Sequence, residues 1–560
     1  MRPELPAAAW PLPSARRKTT GPRHPFWLIG AASLWMASVG NIALWRELAQ
    51  LHLLDGARGL VFGLASAGLI FALLCALLAP FAWRATLKPV VVVLLLTAAV
   101  GAHFMLTYHV VLDTAMVTNV LQTQPAEVRD LLGWRLAATV AGLGALPAWW
   151  AWRAPLKHVA WPRRVAENLA LLAGALGLAV LLLLASFQGM SSAMRNHRHL
   201  RHLANPLNVV QALVQIAGQP LRRDESVVLP IGEDARLGPS YTAQARPPLV
   251  VLVVGETGRS GNFGLNGYAR PTTPELAQKN VVSFRNAWSC GTSTAASVPC
   301  MFAHLGREAF EHRPSNYEGL LDVLRRAGLA VLWLDNQGGC KGVCERIVSA
   351  STTALNDAGL CGSGECLDEI MLRGLDERIA ALPAEQRARG TVVVLHPMGS
   401  HGPAYAKRSP PASKRFLPEC TSNVLQDCSH EQLVNAYDNT IVYTDHFLAE
   451  TIRWLESHES SAQTAMVYVA DHGESLGENN LYLHGLPYTI APDVQKHVPW
   501  IQWLSPAFEH RRGVTAACLR QRVDAPLSHD NFFHSVLGLL DVDTGVYRRE
   551  LDLYAPCAGG

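Results

Sequence analysis

Long apolar runs dominate the first third of the chain. A helix needs about 20 mostly apolar residues to cross a bilayer, and five stretches meet that length: 26–45, 59–83, 89–108, 135–152 and 167–188. The first is longer than the apolar part of a cleavable signal peptide and further stretches follow it, so we expect it to be retained. The pattern predicts a transmembrane domain of five helices at residues 26–188, preceded by a polar tail at residues 1–25.

Basic residues predict the orientation of this domain. The tail and the loops at 84–88 and 153–164 together carry eleven Lys or Arg residues, against four on the opposite side of the membrane. Loops rich in Lys and Arg stay in the cytoplasm. The tail is therefore predicted to be cytoplasmic, and five crossings place everything after about residue 190 outside.

A connecting segment follows at residues 189–247. It begins with a basic run at 194–202 and continues as NPLNVVQALVQIAGQP, where Asn205 can cap a helix and Pro206 suits its first turn. The apolar residues of this helix fall on one face. Two interpretations stay open: a linker helix packed on the next domain, or an interfacial helix on the outer leaflet with its basic flank near anionic lipid.

From residue 248 to residue 560 the pattern changes to alternating strands and helices. Apolar runs rich in β-branched residues occur at 249–254, 330–334, 391–395 and 465–469, with helical stretches between them. Continuous apolar strands separated by helices are typical of a mostly parallel sheet that is covered on both faces. We therefore expect an exported α/β domain that binds its ligands at the carboxyl ends of the strands.

Charge argues against one class of function, and the cysteines indicate the compartment of the exported domain. The net charge is only +3 and no basic block is interleaved with aromatic residues, so nucleic-acid binding is not expected. Of eleven cysteines, only Cys75 lies in the membrane part. Disulfides are favoured in an oxidising compartment, and a zinc knuckle is disfavoured because matched C-x2-C spacing is missing. The other ten cysteines give four closely spaced pairs and one remaining pair: Cys290/Cys300, Cys340/Cys344, Cys361/Cys366, Cys420/Cys428 and Cys518/Cys557.

Polar residues follow several of the predicted strands directly. Glu256 follows the first strand, His396 and His401 the third, and Asp471 with His472 the fourth. Because the carboxyl ends of parallel strands meet at one edge of a sheet, these side chains should form a single rim. Carboxylate oxygens with one or two imidazoles suit a divalent metal, and zinc best of all.

A hydroxyl-rich loop, CGTSTAASVPCMF at 290–302, lies between the first two strands and contains Thr292, Ser293 and Thr294. Coordination to a divalent cation lowers the pKa of a bound hydroxyl, as it does for water. A helix N-terminus beneath the hydroxyl would add N–H donors for an anion. The loop therefore indicates a covalent route, although spacing does not choose among the three hydroxyls.

Four long motifs are similar to those of a known protein family: GETGRSGNFGLNGYARPTTP, SCGTSTAASVPCMF, HPMGSHGPAY and DHGESLGENNLYLHG. They resemble the phosphoethanolamine transferases that modify lipid A, including the colistin-resistance enzymes, within the alkaline phosphatase/sulfatase superfamily. The resemblance covers nearly the whole chain. It implies transfer of phosphoethanolamine from phosphatidylethanolamine to a phosphate of lipid A, or to another lipopolysaccharide acceptor, which would reduce surface negative charge and give polymyxin resistance.

The resemblance also implies a metal and a nucleophile. Thr294 would attack the donor and carry phosphoethanolamine as a covalent intermediate. Glu256, Thr294, Asp471 and His472 would bind one tight zinc ion.

Four further residues receive roles from the resemblance. His401 and His484 would line the phosphoryl group or hold a weaker second zinc, with His396 and Lys341 nearby. His401 or a neighbour would act as general acid or base. Gln337 departs from the family pattern, in which we expect a second asparagine in colistin-resistance relatives, and Cys340 and Cys344 bracket Lys341, so the resemblance does not fix the substrate contacts there.

The motif TAMVTNVLQTQPAEVRD matches the membrane part of the family. Asn119, Thr123 and Glu127 recur every four residues and share one face if the segment is helical. A solvated loop is one interpretation. The resemblance implies instead a lining for the head group of the donor lipid, where Glu127 would pair with the ethanolamine ammonium.

These inferences predict a multi-pass protein of the bacterial inner membrane with its catalytic domain in the periplasm. We expect a monomer whose partners are the lipid donor, the lipopolysaccharide acceptor and membrane lipid. A sulfatase is disfavoured because its C/S-x-P-x-R signature is missing at 290–294. A metal-dependent phosphodiesterase of the same superfamily and a catalytically inactive membrane sensor are the alternatives.

Overall fold

The computed structural model describes residues 21–558 apart from 123–124, 223–226, 243–245, 353–354, 356 and 363–364. Most of the predicted tail and Thr123 therefore lie outside the described residues. The chain forms two compact units. One comprises the described residues up to Asn41 with Leu48–Ala99 and Thr139–Ser191, and the other comprises Ile42–Glu47, Val100–Ala138 and Ser192 onward.

Four helices in the described part of the chain are long and apolar enough to cross a membrane: Pro25–Gln50, Gly56–Phe81, Leu87–Thr107 and Trp161–Ala185. They correspond to the first, second, third and fifth predicted spans. In the first unit, Gly56–Leu78 packs against Trp161–Ala185. Both helices also expose leucines, such as Leu64 and Leu181, and an exposed apolar surface of this kind is typical of helices that face lipid.

The fourth predicted span, 135–152, is helical but is not among these four helices. It consists of Trp134–Thr139, a π-helix at Val140–Ala145 and Leu146–Arg153. Indole rings favour the membrane–water interface over the hydrocarbon core. The segment is less apolar than the others because it contains a proline and three closely spaced tryptophans: Pro147, Trp149, Trp150 and Trp152. Four of the five predicted spans therefore correspond to helices that are long and apolar enough to cross a membrane.

The connecting segment contains the predicted amphipathic helix. Phe187–Asn196 leads through a short turn into Leu207–Arg222, which packs against the helix Thr114–Gln122. Ala212 is buried, whereas the side chains of Leu213 and Val214 are exposed. The helix therefore keeps apolar residues uncovered by the rest of its own unit.

An eight-stranded sheet forms the core of the second unit. In chain order its strands are β1 (Pro248–Gly255), β2 (Val282–Trp288), β3 (Ala330–Asp335), β4 (Val348–Ser351), β5 (Thr391–His396), β6 (Gln463–Ala470), β7 (His497–Leu504) and β8 (Leu527–Ser528). Their order in space is β8-β2-β7-β6-β1-β5-β3-β4. Strands β6, β1, β5, β3 and β4 are parallel, while β7 is antiparallel to both of its neighbours. The four predicted strands form the centre of a mostly parallel sheet, which confirms the α/β architecture.

Helices and small hairpins surround this sheet. Every residue of β1 and β6 is buried, as expected for central strands that are covered on both faces. The longest helix is capped by Ser429, which exchanges hydrogen bonds with Gln432. The helices that follow β1 along the chain are Thr294–Met301, Arg307–Glu311, Leu320–Arg326, Leu375–Ala380, Ala384–Arg389, His430–Ser457, Pro506–Arg512, Ala516–Arg520 and Phe532–Leu539.

Five disulfides join the ten cysteines outside the membrane part, in the predicted pairs: Cys290–Cys300, Cys340–Cys344, Cys361–Cys366, Cys420–Cys428 and Cys518–Cys557. Cys75 is free and buried. This division agrees with a membrane segment in which a thiol stays reduced and an exported domain in an oxidising compartment.

Candidate active site

Strand register brings the candidate site together at the carboxyl edge of the sheet. The parallel pairing of β6 with β1 sets Ala470 opposite Gly255, so Asp471 and Glu256 emerge side by side. Gly255 is required at this point, because a Cβ atom there would lie 2.4 Å from the Tyr468 ring. Two residues far apart in sequence thus become neighbours through backbone pairing alone.

Glu256, Asp471 and His472 form a fully buried cluster whose ligand atoms all lie within 4.8 Å of one another. The Nε2 atom of His472 is 3.5 Å from Glu256 Oε1 and 3.3 Å from Asp471 Oδ2. The Thr294 hydroxyl donates to Glu256 Oε2 at 3.0 Å and lies 3.4 Å from His472 Nε2. The structure therefore brings together all four residues that the sequence analysis placed around a metal.

Neighbouring groups orient each of these side chains toward the cluster. The Nδ1 atom of His472 bonds to the carbonyl of Gly473 at 2.9 Å, which leaves the Nε2 lone pair facing the carboxylates. Asp471 Oδ1 accepts from the backbone N–H groups of Thr257 and His472, at 3.1 and 2.7 Å. One oxygen of Asp471 is thus held by the backbone, and the other faces the cluster.

Burial dominates the electrostatics of the cluster. It raises the pKa of Glu256 to about 8, helped by the nearby charge of Asp471, and raises the pKa of Asp471 to about 6. Burial also lowers the pKa of His472 to about 4. Two carboxylates and a neutral imidazole, all cut off from water, are costly without a cation but form a donor set that suits a divalent metal. The residues present therefore fit a metal of the zinc type.

The pKa of Glu256 also sets how stability should vary with pH when no ion is bound. Its folded pKa of about 8 lies above its ordinary value of 4.5. Between these values the folded chain holds a proton that the unfolded chain has released, so stability falls as the pH rises through this window. A bound cation stabilises the charged carboxylate and removes this dependence.

Two of the three candidate hydroxyls, those of Thr292 and Thr294, differ in their surroundings. Thr294 is the first residue of the helix Thr294–Met301 and is buried against the cluster. The Thr292 hydroxyl instead donates to the carbonyl of Leu486 at 2.6 Å. The Cys290–Cys300 disulfide joins the loop to this helix. The contacts of Thr294 and Thr292 therefore distinguish two hydroxyls that their spacing in the sequence could not distinguish.

Three histidines lie around the same edge of the sheet. The His396 side chain is fully buried and its Nδ1 atom bonds to Asp335 Oδ2 at 3.0 Å. Burial opposes protonation of His396, but the bond to Asp335 and the charges of Asp335, Glu256 and Asp471 together outweigh it and raise the pKa. The ring of His484 lies 4.3 Å from that of His472 and 5.4 Å from that of His401. Burial lowers the pKa of His484 to about 4 and that of His401 well below its ordinary value.

Glu474 supports His484, although the sequence assigned it no role. Its Oε2 atom lies 2.9 Å from His484 Nδ1. Burial raises the pKa of Glu474 to about 8 while it lowers that of His484, so the pair is most stable with one shared proton and no net charge. The contact fixes the His484 ring with its Nε2 atom away from Glu474.

The remaining predicted residues lie around this centre or outside the described part of the chain. Lys341 donates to the carbonyl of Gly338 at 3.0 Å, within the loop closed by Cys340–Cys344. Asn119 lies on the helix Thr114–Gln122, which packs against the helix that begins at Thr294. Thr123 and the side chain of Glu127 fall outside the described residues.

Gln337 is a functional candidate that sequence reasoning did not assign. Its Nε2 atom donates to Glu256 Oε2 at 2.7 Å, and Thr257 donates to the other oxygen of Glu256 at 2.5 Å. Gln337, which departs from the family pattern, therefore contacts the candidate metal ligand Glu256 rather than solvent. Its position two residues after the end of strand β3 was the available signal.

Comparisons with known proteins define the class of this site. Residues 248–542 match the family model of sulfatases, and residues 70–221 match the model described as phosphoethanolamine transferase EptA/EptB. The second unit therefore has a sulfatase-type fold. Its site is a buried group of acidic and histidine ligands beside a threonine at the start of a helix.

Relatives that are similar over nearly their whole length identify the family more specifically. The phosphoethanolamine transferase EptA of Salmonella typhimurium is 39% identical over 95% of this chain and 96% of its own length. Phosphatidylethanolamine transferase Mcr-1 from Escherichia coli is 36% identical over 92% of this chain and 95% of its own. The structure of the integral membrane lipooligosaccharide phosphoethanolamine transferase A from Neisseria meningitidis aligns with a TM-score of 0.89 at 35% identity, covering 95% of this chain and 99% of that chain. The chain belongs to the phosphoethanolamine transferase family.

Proposed function

We propose that this protein transfers phosphoethanolamine from phosphatidylethanolamine to a phosphate of lipid A, or to another lipopolysaccharide acceptor, through a covalent intermediate on Thr294. The observation that carries the proposal is the contact of the Thr294 hydroxyl with Glu256 and His472 inside a buried ligand cluster. The relative from Salmonella typhimurium, which covers nearly the whole chain, is named for transfer of phosphoethanolamine.

Glu256, Thr294, Asp471 and His472 are the residues that would hold one tight zinc ion. Such an ion would lower the pKa of the Thr294 hydroxyl and offset negative charge on the transferred phosphoryl group. We propose that His401, His484 and His396 contact that group or bind a second, weaker zinc. Lys341 would contribute a positive charge at the edge of the site.

In the first half of the proposed reaction, the Thr294 oxygen attacks the phosphorus of the donor lipid. The bond between phosphorus and the diacylglycerol oxygen breaks, and Thr294 carries phosphoethanolamine. Thr294 loses a proton and the departing diacylglycerol oxygen gains one. We propose that His401 or a neighbouring residue carries this proton as general acid or base.

In the second half, a phosphate oxygen of the acceptor attacks the phosphorus held by Thr294. The bond from phosphorus to the Thr294 oxygen breaks, and the proton that the acceptor phosphate loses restores the threonine hydroxyl. The acceptor gains an ammonium group, which weakens its attraction for cationic peptides such as polymyxin.

The membrane part would present the donor lipid. We propose that five helices cross the inner membrane, including 135–152, and that residues 189–247 connect them to a periplasmic catalytic domain at 248–560. Leu213 and Val214, which are exposed on their helix, favour an interfacial helix over a fully packed linker. Asn119, Thr123 and Glu127 would line the donor head group, and the protein would act as a monomer.

Purified protein given fluorescent phosphatidylethanolamine tests this proposal. Transfer predicts release of diacylglycerol together with a Thr294-containing peptide heavier by phosphoethanolamine. Hydrolysis of the lipid without that adduct would identify a phosphodiesterase instead. Binding of the lipid with no product at all would identify an inactive sensor. Mass spectrometry of lipid A from cells with and without the protein then identifies the acceptor.

A further inference from the structure

An ionic network lies behind His401 and reaches the 100–138 segment, which includes the end of the third membrane helix and belongs to the second unit. Asp130, on the helix Pro125–Leu131, has a side chain only 7% exposed. It accepts from Lys407 and, at 3.4 Å, from Arg408 Nη2. A buried carboxylate with two cationic partners is held firmly, because removing either charge leaves the other groups uncompensated.

Arg408 connects Asp130 to the catalytic edge of the sheet. Its side chain is 4% exposed, and its Nε atom donates to the backbone carbonyl of His401 at 3.1 Å. Its Nη1 atom pairs with Glu365. The planar guanidinium thus uses separate N–H groups for three acceptors at once, which a lysine cannot reproduce.

The same segment also contacts the site from another side. The methyl group of Met116 lies so close to Gly485 that a Cβ atom on that glycine would be 2.8 Å away, and Gly485 directly follows His484. The side chain of Asn423 donates to the backbone carbonyl of Asp130 at 2.8 Å, and Tyr108 donates to the carbonyl of Asn423 at 3.2 Å. The segment that carries Asn119 is therefore fixed to the loops around two site histidines.

We propose that Asp130 is a positioning residue, which holds the backbone of His401 in place through Arg408 and so couples the 100–138 segment to phosphoryl transfer. This inference rests on the proposed function, because the coupled step is the reaction assigned to the site. Asp130 acts through Arg408 and contacts no reacting atom in the proposed mechanism.

Full-length Asp130→Asn protein, purified in detergent, tests the inference against a matched control. The control is Asp427→Asn, which removes the carboxylate of another ion pair to the same segment, Arg135–Asp427 at 2.9 Å, with both side chains more than 40% exposed. We expect Asp130→Asn to lower kcat about 10- to 100-fold, because small displacements of catalytic groups cost that much. The KM for phosphatidylethanolamine should stay within about twofold, since the donor itself is not contacted.

Two single variants, Asp130→Glu and Arg408→Lys, keep the test decisive if Asp130→Asn folds poorly. Asp130→Glu retains the charge and should recover kcat to within about threefold of wild type. Arg408→Lys should lower kcat as Asp130→Asn does, and adding Asp130→Asn to it should cause no further loss, because both act through one contact. Equal losses in Asp130→Asn and Asp427→Asn, a rise in KM alone, or additive losses in the double variant would overturn the inference.

A measurement without turnover separates this inference from the proposed function. Hydrogen–deuterium exchange of peptides covering 396–410 should become faster in Asp130→Asn and stay unchanged in Asp427→Asn. If wild-type protein transfers nothing while this exchange difference is present, the proposed function is wrong, and what stands is the structural link from Asp130 to the His401 backbone. If transfer occurs and neither exchange nor kcat changes in Asp130→Asn, the coupling is wrong and the function stands.

Discussion

Replacing Gln337 with leucine removes a hydrogen bond to a metal-ligand candidate while keeping a side chain of similar size. Gln337 is 2% exposed and donates to Glu256 Oε2 at 2.7 Å. Its own Oε1 atom accepts from the backbone of Gly338 at 2.9 Å. The variant therefore leaves Glu256 less firmly oriented and less stable in its charged form, which is the form that binds a cation.

The size of the effect follows from the kind of bond that is lost. A hydrogen bond to a charged group contributes about 1.5–3 kcal/mol, and each 1.4 kcal/mol corresponds to about a factor of ten in affinity. Zinc affinity should therefore fall about 10- to 140-fold, in line with the 10- to 100-fold typical of residues that support metal ligands. The second donor, Thr257 to Glu256 Oε1 at 2.5 Å, remains, so we expect the lower half of this range.

Competition between the protein and a chromophoric chelator measures the zinc affinity directly. Gln426→Leu is the matched control, because both polar atoms of the Gln426 amide lack a hydrogen-bond partner among the described residues. We expect the control to bind zinc like the wild type. If Gln337→Leu folds normally and also binds zinc within about twofold of wild type, Gln337 does not support Glu256 in the way that the geometry indicates.

Two further predictions concern stability. Protein stripped of metal should lose Tm as the pH rises from about 6.5 to about 8, because His472 is already neutral there and Glu256 must ionise while buried. The difference in Tm between metal-free and zinc-loaded protein isolates the contribution of the site. A constant difference across this pH range would contradict the assignment. Replacing Cys290 and Cys300 with serine should lower the free energy of unfolding, measured with a chemical denaturant, by about 2–4 kcal/mol. Cys75→Ala, which breaks no disulfide, should leave the stability of the exported domain unchanged. Equal losses of stability in the two proteins would refute this role for the disulfide.

Much of the fold was predictable because its signals are local. The apolar runs at 249–254, 330–334, 391–395 and 465–469 all became central parallel strands. Residues that directly follow such strands must share one edge of the sheet, so Glu256, Asp471 and His472 could be grouped before any coordinates. Four membrane helices followed from length and hydropathy alone.

Other features depend on contacts between distant residues and left no local pattern. β7 was not predicted because it contains a proline and two polar residues, His497 and Gln502, yet it is buried between β6 and β2. The support of Glu256 by Gln337 depends on the side-by-side positions of three strands, β1, β5 and β3. Thr292 and Thr294 differ only in what surrounds them, Leu486 for one and the ligand cluster for the other.

The most direct test of the central claim is the location of the covalent intermediate. Zinc-loaded protein is mixed briefly with phosphatidylethanolamine, quenched with acid and mapped by peptide mass spectrometry, in the wild type and in the Thr292→Ala and Thr294→Ala variants. The proposed mechanism predicts a phosphoethanolamine adduct on Thr294 in the wild type and in Thr292→Ala, and neither adduct nor lipid turnover in Thr294→Ala. Full turnover by folded Thr294→Ala, or an adduct on Thr292 or Ser293, would contradict it.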